Sequence, residues 1–237
     1  TPGAIALGHL IATQVPGVET VVRRSSQMKA IIYEDRVFPT RACIADSTFF
    51  DVFDFEFIAG NARTALRSPA GIVIARSVAE RVYGTSDVLG RELVMDDRYY
   101  GGTWTISGVV DDAPTNSLIQ IGVVTAQPQS ERGKLFLQAD MWWDGPAYIH
   151  MMLDEGVSAE IAAARIQHMI HDHTDPDWSQ GVRIHLQELA NVHLGTRSKF
   201  GVIRGNGDSD LQGRGSLDAV LMFGAAAILI LCVACVN

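Results

Sequence analysis

Cysteine is scarce, and what there is cannot staple the fold. Of the three cysteines, Cys232 and Cys235 lie in one apolar run and Cys43 has no second cysteine outside it to pair with in a disulfide. A disulfide scaffold is therefore excluded, and stability has to come from a buried core. Cys232-Val-Ala-Cys235 matches C-x-x-C, yet no polar neighbour lowers a thiol pKa or completes a metal set, so small apolar filling of a helix accounts for it. An exported domain without internal disulfides is compatible with a bacterial periplasm. Basic runs are missing too. With 19 Lys and Arg against 27 Asp and Glu, the formal net charge is -8. That balance argues against nucleic acid as a partner, because affinity for phosphates comes from clustered cations.

The motifs of common enzymes are also lacking. There is no G-x-S-x-G elbow, no P-loop lysine signature and no H-E-x-x-H, and Gly205-Asn206-Gly207 lacks the strand and third glycine of a dinucleotide fingerprint. Nucleophile motifs normally leave a local trace, so the expectation is a chain that is not an enzyme, with no catalytic residue, no cofactor and no metal. The sequence opens at Thr1 without Met and without a basic-then-apolar leader. Nothing visible delivers an extracytoplasmic domain, and an upstream apolar span of roughly 20 residues is expected.

Long apolar runs are rare except at one place. Residues 219–236 read AVLMFGAAAILILCVACV, without a charge. At about 1.5 Å per residue such a helix reaches roughly 27 Å, close to the roughly 30 Å hydrocarbon layer. The reading is a membrane span cut short at Asn237 and completed downstream, with a water-soluble domain before it. An apolar core helix ending a soluble protein is the alternative. The 237-residue length allows one or two compact units with a substantial core.

Along the soluble part, residues 4–15 suit a short helix that Pro16-Gly17 halts. Residues 18–25, 30–33 and 37–45 read as strands, with Glu34-Asp35 as a hairpin turn. Asp46-Ser47 offers an N-cap ahead of a short helix whose Phe49, Phe50 and Phe53 share a face, an aromatic cluster of core type that Phe55 and Phe57 continue. Residues 72–75 form a buried strand, and Ser77-Val78-Ala79-Glu80 reads as a capping box opening a helix that Gly84 ends. Strands at 92–95 and 103–110 flank a polar hairpin, Asp111 to Ser117 is turn chemistry, and a strand is expected at 118–125. Residues 127–145, with Met141-Trp142-Trp143, read as a connection. A strand at 148–153, a helix at 158–171 and a strand at 182–189 make a β-α-β unit. Ala162, Ala163, Ile166, Met169 and Ile170 line the inner stripe of that helix, and His168 and His171 lie opposite.

Two constellations resemble metal chemistry. His168, His171, Asp172, His173, Asp175 and Asp177 form the densest set of potential ligands, and His at i and i+3 can share an ion; a solvated helix end yields the same letters, and no Cys or Glu is placed to complete the site. Asp208-Ser209-Asp210-Leu211-Gln212-Gly213 mimics the first half of a calcium loop, but Ala219 stands where the bidentate Glu belongs, and a polar connector is the better reading.

The ordered blocks carry more information than any single motif. Ala45-Asp46-Ser47-Thr48-Phe49-Phe50-Asp51-Val52-Phe53-Asp54-Phe55 with Ile58-Ala59-Gly60, then Ile72 through Gly84, Val88 through Leu93, and Ile106 through Ser117 resemble successive blocks of the periplasmic core domain of MacB-type ABC transporter permeases. The final run is similar to the start of that family's second transmembrane helix, where its FtsX-like membrane portion begins. The resemblance implies an α+β, two-lobed extracytoplasmic domain. A Porter-like β-α-β subdomain would take residues 1–45 and 146–195, an inserted strand-rich Sabre-like unit 46–140, a polar connector 196–216, and the truncated transmembrane helix 217–237. It also implies a place in the bacterial inner membrane, a second permease copy, a cytoplasmic ABC ATPase, and a periplasmic adaptor or other envelope protein as partners. The implied function is mechanotransmission that couples ATP hydrolysis to export or efflux of a substrate. The alternative is an FtsX-like regulatory permease domain that binds and controls an envelope partner.

Overall fold

The computed structural model describes residues 5–68, 70–96, 102–117, 119–126, 148–174, 183–189 and 217–236. The chain divides into residues 1–186 and residues 187–237, and each part is described by itself.

The first part opens with helix α1 (Ile5–Gln14), which Gly17, at φ 84°, turns into strand β1 (Val18–Tyr33). β1 pairs antiparallel with β2 (Arg36–Ala45) from Arg24↔Ala45 to Tyr33↔Arg36. Glu34 and Asp35 close this hairpin as expected, both with positive φ (46° and 59°), the backbone of a two-residue type I′ turn. The expected break at residues 26–29 is absent. Those mostly polar residues lie opposite Thr40 to Cys43, and cross-strand pairing overrides their weak strand propensity.

Short helix α2 (Phe49–Val52), β3 (Phe57–Gly60), short helix α3 (Ala62–Ala65), β4 (Gly71–Ala75) and α4 (Arg76–Tyr83) follow, then β5 (Glu92–Asp96), β6 (Gly102–Val110), β7 (Val123–Ala126), β8 (Tyr148–Leu153) and α5 (Ala159–His173). The pairings run β1-β2-β7-β4-β6-β5 and return from β5 to β1, so six strands close a ring. The β2–β7 and β4–β6 pairs are parallel and the others antiparallel. β3 adds to β6, and β8 pairs with residues 18–24 of β1. β1 thus carries β8 along its first half and β5 at Ala30 to Ile32.

The strand faces sort the apolar residues with a period of two. Ile72 and Ile74 of β4 join a core with Ile31, Phe38, Met95, Trp104 and the α4 residues Val78, Ala79 and Val82. Val73 between them joins a second core with Cys43, Ala45, Val110, Val124 and the phenylalanines of α2. β4 is consequently buried along its whole length. A third core joins Ile11 and Val15 of α1 to Ile166, Met169 and Ile170 of α5, on the face of β1 and β8 that carries Val21, Ile149 and Met151. The α5 stripe lies inside as expected, with Ser158 Oγ capping the helix by accepting the N–H of Ile161.

Four local expectations are corrected. The box at Ser77 does not form, because α4 starts at Arg76 and places Ser77 inside the first turn. A carboxylate from after β6 does the capping instead: Asp112 accepts the Ser77 N–H at 3.0 Å and its Oγ–H at 2.5 Å. Gly84 ends the helix in the left-handed conformation as expected, at φ 73°. Asp46 does not cap α2; Thr48 is the N-cap residue, without a side-chain cap bond. The strand expected at 118–125 is shortened to β7, preceded by Gly122, where a Cβ would collide with Thr40 Oγ1. Residues 183–188 form no strand, so the β-α-β unit is a β-α pair followed by an irregular segment. The Ile184 N–H donates to Gln167 Oε1 at 3.0 Å rather than to a ladder, although Ile184 and Leu186 still pack on the third core.

In the second part, helix α6 (Leu217–Val236) exposes every side chain described in it, residues 221–235. Among the described residues no helix is long and apolar enough to cross a membrane.

Candidate functional site

The histidine-rich end of α5 bonds to its own helix. His168 Nδ1 lies 2.9 Å from Asp172 Oδ2, His171 Nε2 is 3.3 Å from Gln167 Nε2, and His173 Nδ1 is 2.9 Å from the Met169 carbonyl. Each contact is i to i+4, the geometry of a solvated helix face. Among the described residues no group of three or more His, Cys, Asp or Glu is placed to hold a metal. Asp175, Asp177, Gly205 to Gly207 and Asp208 to Gly213 lie outside the described residues. Cys43 is buried, and Cys232 and Cys235 are exposed on α6.

An open groove of about 430 Å³ runs between the end of α1 and α5, lined by Gln14, Pro16, Arg165, His168, Met169 and Asp172. Its charged groups face one another or the backbone rather than a common centre. Arg165 Nη1 donates to the Pro16 carbonyl at 2.6 Å, and His168 faces Asp172.

Among the described residues, the most connected polar structure lies where β1 passes from β8 towards the ring. Its two adjacent arginines point to opposite faces, as strand alternation requires. Arg23 faces α1, and its guanidinium grips Asp46 with a fork. Nε donates to Oδ1 and Oδ2 at 3.2 and 3.0 Å, and Nη2 donates to Oδ1 at 2.8 Å. The backbones add two more bonds, from the Arg23 N–H to Asp46 Oδ2 at 2.8 Å and from the Asp46 N–H to the Arg23 carbonyl at 3.0 Å. Both side chains are under one-fifth exposed (17% and 18%), so solvent weakens the pair only in part. A charge-assisted bond in such a setting contributes on the order of 1.5–3 kcal/mol.

Arg24 faces the phenylalanine core and is 2% exposed. Its Nε donates to His150 Nε2 at 3.0 Å, which requires the neutral imidazole carrying its proton on Nδ1. The guanidinium carbon stands 4.6 Å from the ring centroid of Tyr148, its direct cross-strand neighbour. His150 meets Phe53 edge-on at 5.0 Å and 87°. Phe53 is packed on Phe49 at 4.9 Å, and Phe49 touches Phe50 and Phe55 at 5.0 and 5.9 Å.

Both linkages end on α2. Asp46 accepts the Phe49 N–H at 3.0 Å, and Phe53 closes the helix through its N–H to the Phe49 carbonyl, also at 3.0 Å. α1 and β8 are thereby connected to the same four-residue helix. Sequence reasoning placed the phenylalanines correctly as core but missed Arg23, Arg24, Tyr148 and His150. The available signal was an Arg-Arg pair inside a half-buried strand, which puts one cation on each face and demands a partner for both.

The family model described as the MacB-like periplasmic core domain matches residues 2–169. A crystallised domain described as that of a permease protein from Porphyromonas gingivalis is 28% identical, with a TM-score of 0.59, over 73% of this chain and 79% of the other. The periplasmic region of MacB from Actinobacillus actinomycetemcomitans shares the fold at 14% identity and a TM-score of 0.51, over 72% of this chain and 73% of the other. No curated protein matches.

Proposed function

The chain belongs to the family of MacB-like periplasmic core domains, and from that premise we propose that it is the extracytoplasmic part of an ABC transporter permease which transmits movement rather than performing chemistry. A second permease copy and a cytoplasmic ABC ATPase complete the machine, in a bacterial inner membrane. Residues 217–237 begin its second transmembrane helix. Residues 1–45 and 146–195 serve as the Porter-like lobe, and 46–140 as the Sabre-like insertion. ATP-driven rearrangement of the membrane helices displaces the periplasmic lobes, which push a substrate outward for export.

The observation that supports the mechanical reading is the pair of linkages on β1. Arg23 with Asp46 and Arg24 with His150 fasten α1 and β8 to one receiving element, as a stiff transmission requires. The test is made on the permease that contains this domain, in lipid nanodiscs with its ATPase. Spin labels on the two periplasmic domains should change separation between the nucleotide-free and vanadate-trapped states. Unchanged distances in an ATPase-active complex would refute the reading. Capture of envelope partners by the same complex separates the two roles: an adaptor protein fits export, whereas a cell-wall hydrolase in its place overturns export in favour of regulation.

A further inference from the structure

We propose that Gly8, Arg23 and Asp46 form a single coupling path by which α1 controls the stability of α2 and its aromatic cluster, with Arg23 as the positioning residue. The path gives the mechanical reading above a specific route through the domain, and its purpose rests on that reading.

The first step is steric. Gly8 is buried on the face of α1 that meets β1, and a Cβ built there would fall 2.5 Å from both Cγ and Cδ of Arg23. Those atoms are the middle of the arginine stem, and the far end is held by Asp46, so the stem cannot swing aside. The helix backbone therefore bears directly on a side chain whose position is fixed at both ends, the arrangement that turns a small shift into a discrete response.

The second step is polar. Asp46 joins the end of β2 to α2. Its carboxylate takes the Arg23 fork and the Arg23 N–H, and its carbonyl takes the N–H of Phe49. α2 has only four residues and no side-chain cap bond of its own at Thr48. A helix that short does not hold itself together. Its support comes from Asp46 on one side and from the Phe49, Phe50 and Phe53 packing on the other. Loosening the Arg23–Asp46 grip frees the residue whose carbonyl accepts the first N–H of the helix, while β4 keeps its own ladders to β6 and β7.

Amide hydrogen exchange followed by mass spectrometry on the full chain in detergent micelles reads this path. Gly8→Ala inserts one methyl group against the Arg23 stem. It should raise exchange in residues 48–53 by about tenfold and leave residues 71–75 unchanged. Asp46→Asn removes the charge and keeps the shape, and it should raise exchange in the same segment. In the double variant Gly8→Ala should add less than twofold, because the link it acts through is already broken. The same tenfold increment in both backgrounds, or no increment at residues 48–53, overturns the path. Where Gly8→Ala prevents folding, Arg23→Lys decides: it keeps the stem and loses the fork, and exchange should rise both in residues 48–53 and in the turn of α1 that carries Gly8. A rise confined to residues 48–53 overturns the coupling. These readouts need neither nucleotide nor ATPase, so they fail separately from the nanodisc experiment.

Discussion

Truncating Phe49 is the sharpest test of how the aromatic cluster holds the fold. Phe49 is fully buried, and its ring lies 4.9 to 5.9 Å from the rings of Phe50, Phe53 and Phe55. Replacing a buried Phe by Ala costs about 3–5 kcal/mol through lost transfer energy and the cavity left behind. Aromatic pairs are worth a further ~0.5–1.5 kcal/mol each beyond burial, part of which is already in that range. The neighbours are themselves pinned, Phe53 by His150 and Phe50 edge-on to Phe57 at 4.9 Å, so the site cannot collapse and the upper half of the range is expected. Against a typical domain stability of about 5–15 kcal/mol, Phe49→Ala removes at least a quarter. Phe49→Leu keeps most of the volume and should cost about 1–2 kcal/mol. Urea unfolding in dodecylmaltoside, followed by near-ultraviolet circular dichroism, measures both. Ile58→Ala, at a position 40% exposed, is the control. If Phe49→Ala lowers the midpoint no more than Ile58→Ala does, the cluster is not a core and the reasoning fails.

Other outcomes follow from particular contacts. Burial, together with the neighbouring Tyr33, pushes the Tyr83 phenol up from 10.0 to about 12. The folded state thus holds this proton where the unfolded chain has lost it, so stability is intact below pH 10 and falls as the pH rises towards 12. Absorbance of tyrosinate at alkaline pH should show one late-titrating phenol that Tyr83→Phe removes; its persistence in that variant would reassign it. Gly122→Ala should destabilise by about 1–3 kcal/mol, because the new methyl meets the buried Thr40 hydroxyl and the Arg41 backbone; an unchanged melting temperature contradicts this packing. Asp35→Gly should stabilise by up to about 1 kcal/mol, since Asp35 holds a left-handed φ of 59° in the hairpin turn that suits Gly, and a lowered urea midpoint counts against that turn geometry.

Local pattern revealed the elements whose order is local. The α5 stripe, the buried run of β4, the β5–β6 pair, the Glu34-Asp35 turn and the phenylalanine face all follow from periodicity or turn chemistry within about ten residues. What stayed hidden depends on partners far along the chain. Arg24 and His150 are 126 residues apart, and Ser77 and Asp112 are 35 apart. A capping box and a remote carboxylate offer the helix start the same bond, and only the tertiary arrangement decides which one supplies it. The mostly polar residues 26–29 look like a break because strand propensity is weak where pairing is strong. Residues 182–189 alternate like a strand, yet at Ile184 a glutamine side chain takes the amide a ladder would need. The candidate joint was the least legible part, since each of its members is unremarkable beside its neighbours in sequence.

Because β8 and β5 hang from one edge of β1, with Tyr148 opposite Arg24 and Asp96 opposite Ala30, the strand acts as a ruler between them. Deleting or inserting one residue between Arg24 and Ala30 would turn every side chain on one side of the change to the wrong face. Lineages carrying this domain should therefore vary in length at turns and connections while the spacing between these two arginine-side and ring-side anchors stays constant.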